Sequence, residues 1–177
     1  MSHNETEVKY EIDCSYVDRL KETAIRLGGT IEKEVEERDI YYQHPCRDLL
    51  ASDEAIRVRY VNGRPESLTY KGPRAPGPVK SRKEIIVAIL DDPTQLLESL
   101  GFRPAVEVLK RRTYIAMDSV EVTIDVVKNI GCFAEIELRE GSDASDLQRY
   151  ASKLGLSKGP IAQTYAEMAL ARARSRD

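Results

Sequence analysis

The feature that most constrains this chain is an alternation of charged and apolar residues, repeated in separate stretches along its length. In "ETEVKYEI", Glu5, Glu7, Lys9 and Glu11 alternate with Thr6, Val8, Tyr10 and Ile12. In "AIRVRYV", Arg57 and Arg59 share one face while Ile56, Val58 and Tyr60 share the other. A period of two is the repeat of a strand, whose successive side chains point to opposite faces. Residues two apart on a strand lie roughly 6–7 Å from each other. At an effective dielectric of about 20, two bare carboxylates at that spacing repel by about 2–3 kcal/mol. In open water that cost fades; facing an interior, Glu5 and Glu7 need a positive partner.

The same pattern continues downstream. "SLTYKG" sets Lys71 opposite Tyr70, and "SRKEIIVAI" sets Arg82 and Glu84 against Ile85, Val87 and Ile89. "LKRRTYI" pairs Lys110 with Arg112. "VEVTIDVV" places Glu121, Thr123 and Asp125 against four β-branched residues. "FAEIELR" places Glu135, Glu137 and Arg139 against Ala134, Ile136 and Leu138. Two architectures satisfy such strands. One is an open antiparallel sheet with one face on a core and one in water. The other is a closed barrel with a charged interior, covered outside by amphipathic helices. The sorting of the charges favours the second. The Arg-x-Arg and Lys-x-Arg pairs are purely basic, whereas Glu-x-Glu stands near both ends of the chain. A ligand that needs both signs is a polyphosphate with a divalent metal: Arg and Lys neutralise phosphate oxygens, and carboxylates hold hard cations. Eight strands enclose room for one small ligand.

The helices are punctuated by turn residues. Ser15 and Asp18 have the spacing of a capping box, and Val17, Leu20, Ala24 and Leu27 form a stripe that Gly28-Gly29 ends. "DDPTQLLESLGF" offers Asp92 as N-cap, Pro93 as first helical residue and Gly101 as stop. Leu147, Tyr150, Ala151 and Leu154 mark a third helix closed by Gly155, and a fourth is expected from about Pro160 into "RARSRD". "KGPRAPGPVKS", from Lys71 to Ser81, reads as a loop. Arg74 and Lys80 within it are either solvated charges or a lid reaching the phosphates.

The 177 residues fit one domain, 1–177, with no dividing linker. A net charge of −3 argues against a general nucleic-acid or membrane surface. Cys14, Cys46 and Cys132 are odd in number, far apart and without a C-x-x-C pair, which points to free thiols in a reducing compartment and away from a zinc site. No N-terminal apolar segment resembles a signal peptide, so the expectation is a cytoplasmic domain. His3 and His44 lack metal-ligand spacing and read as surface residues. Tyr41, Tyr42, Tyr60 and Tyr70 read as packing residues, and Cys132 beside Phe133 as a small buried one.

Glu5-x-Glu7-x-Lys9 resembles the E-x-E-x-K signature of the CYTH superfamily, the triphosphate tunnel metalloenzymes. "AIRVRY", "LTYKGP", "SRKE", "LGFRPAVEVLKRR", "VTIDVV" and "AEIEL" follow in that family's order, and "QTYAEM" resembles the C-terminal helix of its archaeal and bacterial members. The resemblance spans nearly the whole chain. It implies an eight-stranded antiparallel tunnel with helices outside and a triphosphate as substrate, whether tripolyphosphate, ATP or another nucleoside triphosphate. It assigns Lys9, Arg57, Arg59, Lys71, Arg82, Lys110 and Arg112 to triphosphate binding. It assigns Glu5, Glu7, Asp125, Glu135 and Glu137 to one or two Mg²⁺ or Mn²⁺ ions. Lys9, Glu7 and Glu137 are the candidate catalytic groups, with Glu84 an inner-wall partner for Arg or Lys. Class IV adenylyl cyclases carry a His-Phe pair ahead of the signature, and here Met1-Ser2-His3-Asn4 holds no Phe. Animal thiamine triphosphatases use Trp in an aromatic platform, and this chain has none. A metal-dependent triphosphatase is therefore the expected activity, with a class IV cyclase and a non-catalytic polyphosphate sensor as alternatives. Homodimers are common in the family.

Overall fold

The computed structural model describes residues 2–76 and 79–174, excluding the side chains of Ser2 and His3. Eight strands close into one antiparallel barrel in the order β1-β5-β4-β3-β2-β6-β7-β8. They are β1 (Ser2–Ile12), β2 (Thr30–Gln43), β3 (Ala55–Val61), β4 (Arg64–Lys71), β5 (Lys80–Ala88), β6 (Arg103–Ala116), β7 (Val120–Val127) and β8 (Gly131–Leu138). Closure comes from β1, which pairs with β5 through its first half and with β8 through its second. Its partner changes at Glu7, opposite Lys80 on one side and Glu137 on the other.

Alternation along each strand divides the residues between two interiors. On β7, Val120, Val122 and Ile124 face outward and are almost fully buried, while Glu121, Thr123 and Asp125 face the lumen. Most of the apolar core thus lies outside the barrel, while Val108, Val127 and Phe133, on the inward face, close one end with Tyr165. Helices α1 (Val17–Arg26) and α3 (Ser145–Lys153) set Leu20, Ala24, Leu147, Ala151 and others against Val8, Val122, Ile124 and Ile136. Helix α2 (Thr94–Ser99) puts Leu97 on Tyr42, Val58 and Tyr60. Helix α4 (Tyr165–Arg174) packs at one end, near Val108, Val127 and Phe133. At about 25 cal/mol per Å² of apolar area, these outer contacts supply the folding free energy that a charged lumen cannot.

Local stops behave mostly as read. Gly28 has φ +90°, and a Cβ at Gly29 would stand 2.8 Å from the Ala24 carbonyl, so the Gly pair both ends α1 and lets the chain return close to it. The capping box at Ser15 is not made. Asp13 caps instead, accepting from the Ser15 backbone N–H at 2.8 Å, and a 3₁₀ turn at Cys14–Tyr16 precedes α1. Helix α2 starts one residue later than read: Pro93 is its N-cap, without a side-chain cap bond, and Asp92, one position ahead, accepts from Thr94 N–H at 2.9 Å. Helix α4 begins at Tyr165, not near Pro160. Thr164 and Glu167 cap it reciprocally, with Glu167 N–H to Thr164 Oγ1 at 3.2 Å and Thr164 N–H to Glu167 at 2.6 Å. Residues 175–177, at the expected end of that helix, lie outside the described residues, as do 77–78 in the 71–81 loop.

The cysteine reading needs correction. Cys14 and Cys132 form a disulfide, and only Cys46 is free. The β1–β8 register sets Ile12 opposite Cys132, and the turn after Ile12 brings Cys14 back over it. A pairing made by barrel closure across 118 residues has no signature in cysteine spacing.

Candidate functional site

The lumen encloses about 220 Å³, lined almost wholly by charged and aromatic side chains. Every residue assigned to triphosphate binding is in that lining: Lys9, Arg57, Arg59, Lys71, Arg82, Lys110 and Arg112. So are Glu5, Glu7, Glu84, Glu135 and Glu137. Asp125 is on the same inward face but fully buried, bonded to Arg112 and Tyr165, and is not in the lining. Glu5, Glu7 and Lys9, at 8%, 4% and 2% exposure, point inward as the alternation required.

One arc of the wall, β3–β2–β6, is a network of opposite charges. Arg59 grips Asp39 through a two-toothed contact, Nε to Oδ1 at 2.7 Å and Nη2 to Oδ2 at 2.8 Å, and reaches Glu37 at 3.0 Å. Lys110 meets Glu37 at 3.2 Å and Asp39 at 3.6 Å. Burial pushes both carboxyls up in pKa, but the surrounding cations outweigh it. Lys110 and Arg59 hold Glu37 at about 2, and Arg59, Arg57 and Lys110 hold Asp39 well below the usual carboxylate range. Arg57 is the least satisfied of the group. It reaches Thr69 at 3.3 Å and Asp39 only at 3.7 Å, and its Nε has no hydrogen-bond partner.

A second set of pairs runs along β1, β4, β5 and β8. Lys71 is paired with Glu84 and lies 3.2 Å from Glu5; Arg82 contacts Glu5 at 3.3 Å; Lys80 contacts Glu7 at 2.7 Å. Lys9 bridges to Glu135 at 3.1 Å. Burial lowers the Lys9 pKa against the pull of Glu135. Arg112 joins Asp125, at 2.7 Å from Nε, to Glu135, at 2.5 Å from Nη2.

The acidic corner, β1–β8–β7, is different. Glu7 and Glu121 each stand directly opposite Glu137 in the strand registers. Glu137 and Glu121 have no ion pair with Lys or Arg among the described residues. Burial first, then Glu5, Glu7 and Glu121, push the Glu137 carboxyl up to about 8. Burial likewise raises Glu121. Among the described residues no three His, Cys, Asp or Glu side chains converge closely enough to hold a metal ion. The donor chemistry nevertheless suits a hard divalent cation: the donors are crowded carboxylate oxygens, of which Glu137 and Glu121 lack a cationic partner while Glu5 and Glu7 share Lys71, Arg82 and Lys80. Of the five residues assigned to metal, Glu5, Glu7 and Glu137 belong to this corner, while Asp125 and Glu135 are drawn to Arg112 and Lys9.

The lumen continues at both ends. Glu121 and Glu137 also line a wider acidic mouth with Glu32 and Glu140. Tyr41, Lys71, Arg82 and Thr164 also line a mostly apolar chamber with Leu49, Ile56 and Leu170.

Several residues of the site, in the lining or buried behind it, were not singled out from the sequence. Glu37 and Asp39 lie in "EVEERDIYY", whose alternation of Glu37, Asp39 and Tyr41 against Arg38, Ile40 and Tyr42 marks β2 as the strand completing the barrel. Tyr41 lines the lumen, whereas Tyr42 and Tyr60 pack outside as expected and Tyr70 donates to Glu54 at 2.5 Å. Lys80 is a wall residue of β5. Arg74 binds Asp53 at 2.6 Å, Glu167 at 3.0 Å and the Ala162 carbonyl at 2.9 Å, so it ties the 71–81 loop to the α4 end. His44 stacks edge-on against Phe102, half-buried; the side chain of His3 lies outside the described residues.

The CYTH domain family model matches residues 3–165. A protein named putative adenylate cyclase from Methanocaldococcus jannaschii is 34% identical over 135 residues, 75% of each chain. The structure of the PH1819 protein from Pyrococcus horikoshii is 32% identical, with a TM-score of 0.78, covering 95% of this chain and 99% of that one. A structure from Hippeastrum, described as a putative adenylyl cyclase that reveals a dominant triphosphatase activity, is 15% identical with a TM-score of 0.71, covering 98% of this chain and 96% of that one.

Proposed function

Because the chain belongs to the CYTH domain family, we propose that it is a divalent-metal-dependent triphosphatase acting on tripolyphosphate or a nucleoside triphosphate inside its barrel. The observation that carries this reading is the split of the lumen into a wall rich in Arg and Lys and a carboxylate corner in which Glu137 and Glu121 lack a cationic partner among the described residues. A phosphate chain needs the first and the metal that accompanies it needs the second. Glu5, Glu7 and Glu137 would hold Mg²⁺ or Mn²⁺, which when bound neutralises phosphate oxygens and acidifies water.

The chain's own residues supply positioning and charge. Arg57, with its unsatisfied Nε, and Arg59, Lys110 and Arg112 receive the phosphate oxygens. Their carboxylate partners Glu37, Asp39 and Asp125 keep them fixed, so that little reorganisation is needed when substrate enters. Lys9, almost fully buried, neutralises the charge that develops as the scissile bond breaks. Glu7 or Glu137 orients the attacking water at the acidic corner.

The apolar chamber beside Tyr41 and Lys71 favours a second reading, in which the substrate carries an organic group. An adenylyl cyclase would use that chamber for the base and release pyrophosphate. One assay separates the readings: purified protein with Mg²⁺ or Mn²⁺, given tripolyphosphate or ATP, with Glu7→Ala and Lys9→Ala in parallel. Orthophosphate release that both variants lose is the expected result. Cyclic AMP with pyrophosphate would replace the triphosphatase by the cyclase. No turnover with metal-dependent binding would leave a sensor.

A further inference from the structure

Tyr165 enters the lumen from α4, outside the barrel strands, and meets groups on four of them. Its hydroxyl donates to Asp125 Oδ2 at 2.7 Å. Its ring lies 3.9 Å beneath Lys9 Nζ and 5.2 Å from Lys110 Nζ. The residue is 5% exposed, and its ring packs at a tilt on Phe133 with centroids 5.1 Å apart. A phenol among buried charges needs a reason, because packing α4 on Phe133 asks only for an apolar ring.

The helix is held by other means as well. Thr164 and Glu167 cap it, Arg74 binds Glu167, and Ile161 N–H donates to the Lys9 carbonyl at 2.8 Å. Arg172 donates to the Ile130 carbonyl at 2.9 Å. What Tyr165 adds lies in the site. Asp125 Oδ2 receives both the Tyr165 hydroxyl and Arg112 Nη2, while Oδ1 receives Arg112 Nε at 2.7 Å. The carboxylate is thereby locked, and the plane of the Arg112 guanidinium with it. Lys9 is confined between the Tyr165 ring, Glu135 at 3.1 Å and the Gln163 carbonyl at 3.3 Å.

We propose that Tyr165 is a positioning residue for the triphosphate site, its hydroxyl fixing Arg112 through Asp125 and its ring fixing Lys9. This rests on the triphosphatase reading above. The two contacts have separate consequences. Arg112 binds substrate, so loss of the hydroxyl weakens binding. Lys9 acts as the bond breaks, so loss of the ring slows the chemical step. Burial and the neighbouring Asp125 hold the phenol well above its ordinary pKa, so it stays a donor throughout the working pH range.

The test is steady-state kinetics with tripolyphosphate and Mn²⁺ for Tyr165→Phe, Tyr165→Leu, Asp125→Asn and the Asp125→Asn/Tyr165→Phe double variant, well below each melting temperature. Tyr165→Phe is expected to raise KM about tenfold with kcat within about twofold, the size expected of one hydrogen bond to a charged group. Tyr165→Leu is expected to lower kcat about tenfold in addition. The double variant is expected to be no worse in KM than Asp125→Asn, since the hydroxyl acts only through that carboxylate. Wild-type kcat and KM in both Tyr165 variants, with only a lower melting temperature, would reduce Tyr165 to a structural plug and overturn the proposal. So would an additive double variant. Absence of turnover and binding in the wild type would instead overturn the triphosphatase reading, and this inference with it.

Discussion

The β3–β2–β6 arc and the β1–β8–β7 corner are parts of one lumen, yet they handle buried charge in opposite ways. The arc supplies its own counter-ions: Glu37 and Asp39 satisfy Arg59 and Lys110 within the fold. The corner does so only in part: Glu5 and Glu7 are met by Lys71, Arg82 and Lys80, but Glu137 and Glu121 have no such partner among the described residues. Glu137 faces Glu7 and Glu121, and its carboxyl rises to about 8 because burial and its acidic neighbours act together. A self-satisfied region is built to hold a shape, and an unsatisfied one is built to receive a charge. On the function proposed above, the arc would hold the phosphate-binding cations in place and the corner would receive the metal ion.

The comparison breaks most readily at Asp39. Asp39→Asn leaves Arg59 with half its fork and Arg57 and Lys110 without their shared anion, and should cost about 3–5 kcal/mol, as loss of one partner of a buried pair does. Urea denaturation measures this, and added tripolyphosphate should restore part of it. If the loss is under 1 kcal/mol, the arc is not self-satisfied.

Acid should act on the arc next. Glu37 has a folded pKa of about 2 against an ordinary 4.5. Its contribution is complete above 4.5 and is lost as the pH falls from 4.5 through about 2. The size is about 3 kcal/mol by linkage. Glu37→Gln should flatten the melting-temperature profile in that window. An unchanged profile would show that Glu37 is not the group whose protonation weakens the fold.

Glu137→Gln probes the corner. It should cut metal-dependent turnover about 100-fold, roughly 2.7 kcal/mol, and abolish the rise in melting temperature expected on adding Mn²⁺ to the wild type. In metal-free buffer near pH 8 the same change should raise the melting temperature, since it removes one of several crowded carboxylates. Falling stability there would mean that the corner already holds its own counter-charge. The smallest effect is expected outside the barrel. Arg38 and Glu107 are 2.7 Å apart on β2 and β6, as close as Arg59 and Asp39, but 48% and 42% exposed. Glu107→Gln should change stability by less than about 1 kcal/mol in urea.

Much of this was legible in the sequence because strand alternation sorts residues by face without reference to the partner strand. Spacing grouped Glu5, Glu7, Lys9, Arg57, Arg59, Lys110 and Arg112 by strand face, and the sorting of their charges with the CYTH resemblance turned those faces inward. Which charge meets which could not, since Arg112 meets Asp125 and Glu135 through register and curvature. Glu37 and Asp39 were missed although their alternation is plain, because β2 opens with exposed residues from Thr30 to Glu34 that read as an ordinary solvated strand. Tyr165 was hidden by its helix, where a single inward ring has no periodic signal. The α4 start was legible: Thr164 and Glu167 have capping-box spacing, a stronger signal than Pro160.

The outward core has a consequence for how such a chain can vary. Adjacent letters of β7 serve different tasks: Ile124 is pressed toward the helices and Asp125 holds an arginine inside. A one-residue insertion near the middle of that strand would exchange the two roles for every residue beyond it, turning Ile124 and Val126 into the lumen and Asp125 toward α1 and α3. Point substitutions, by contrast, can alter one face and leave the other intact. Drift by substitution can therefore retune the lumen while the outer face stays fixed, whereas length changes should collect in the turns between strands.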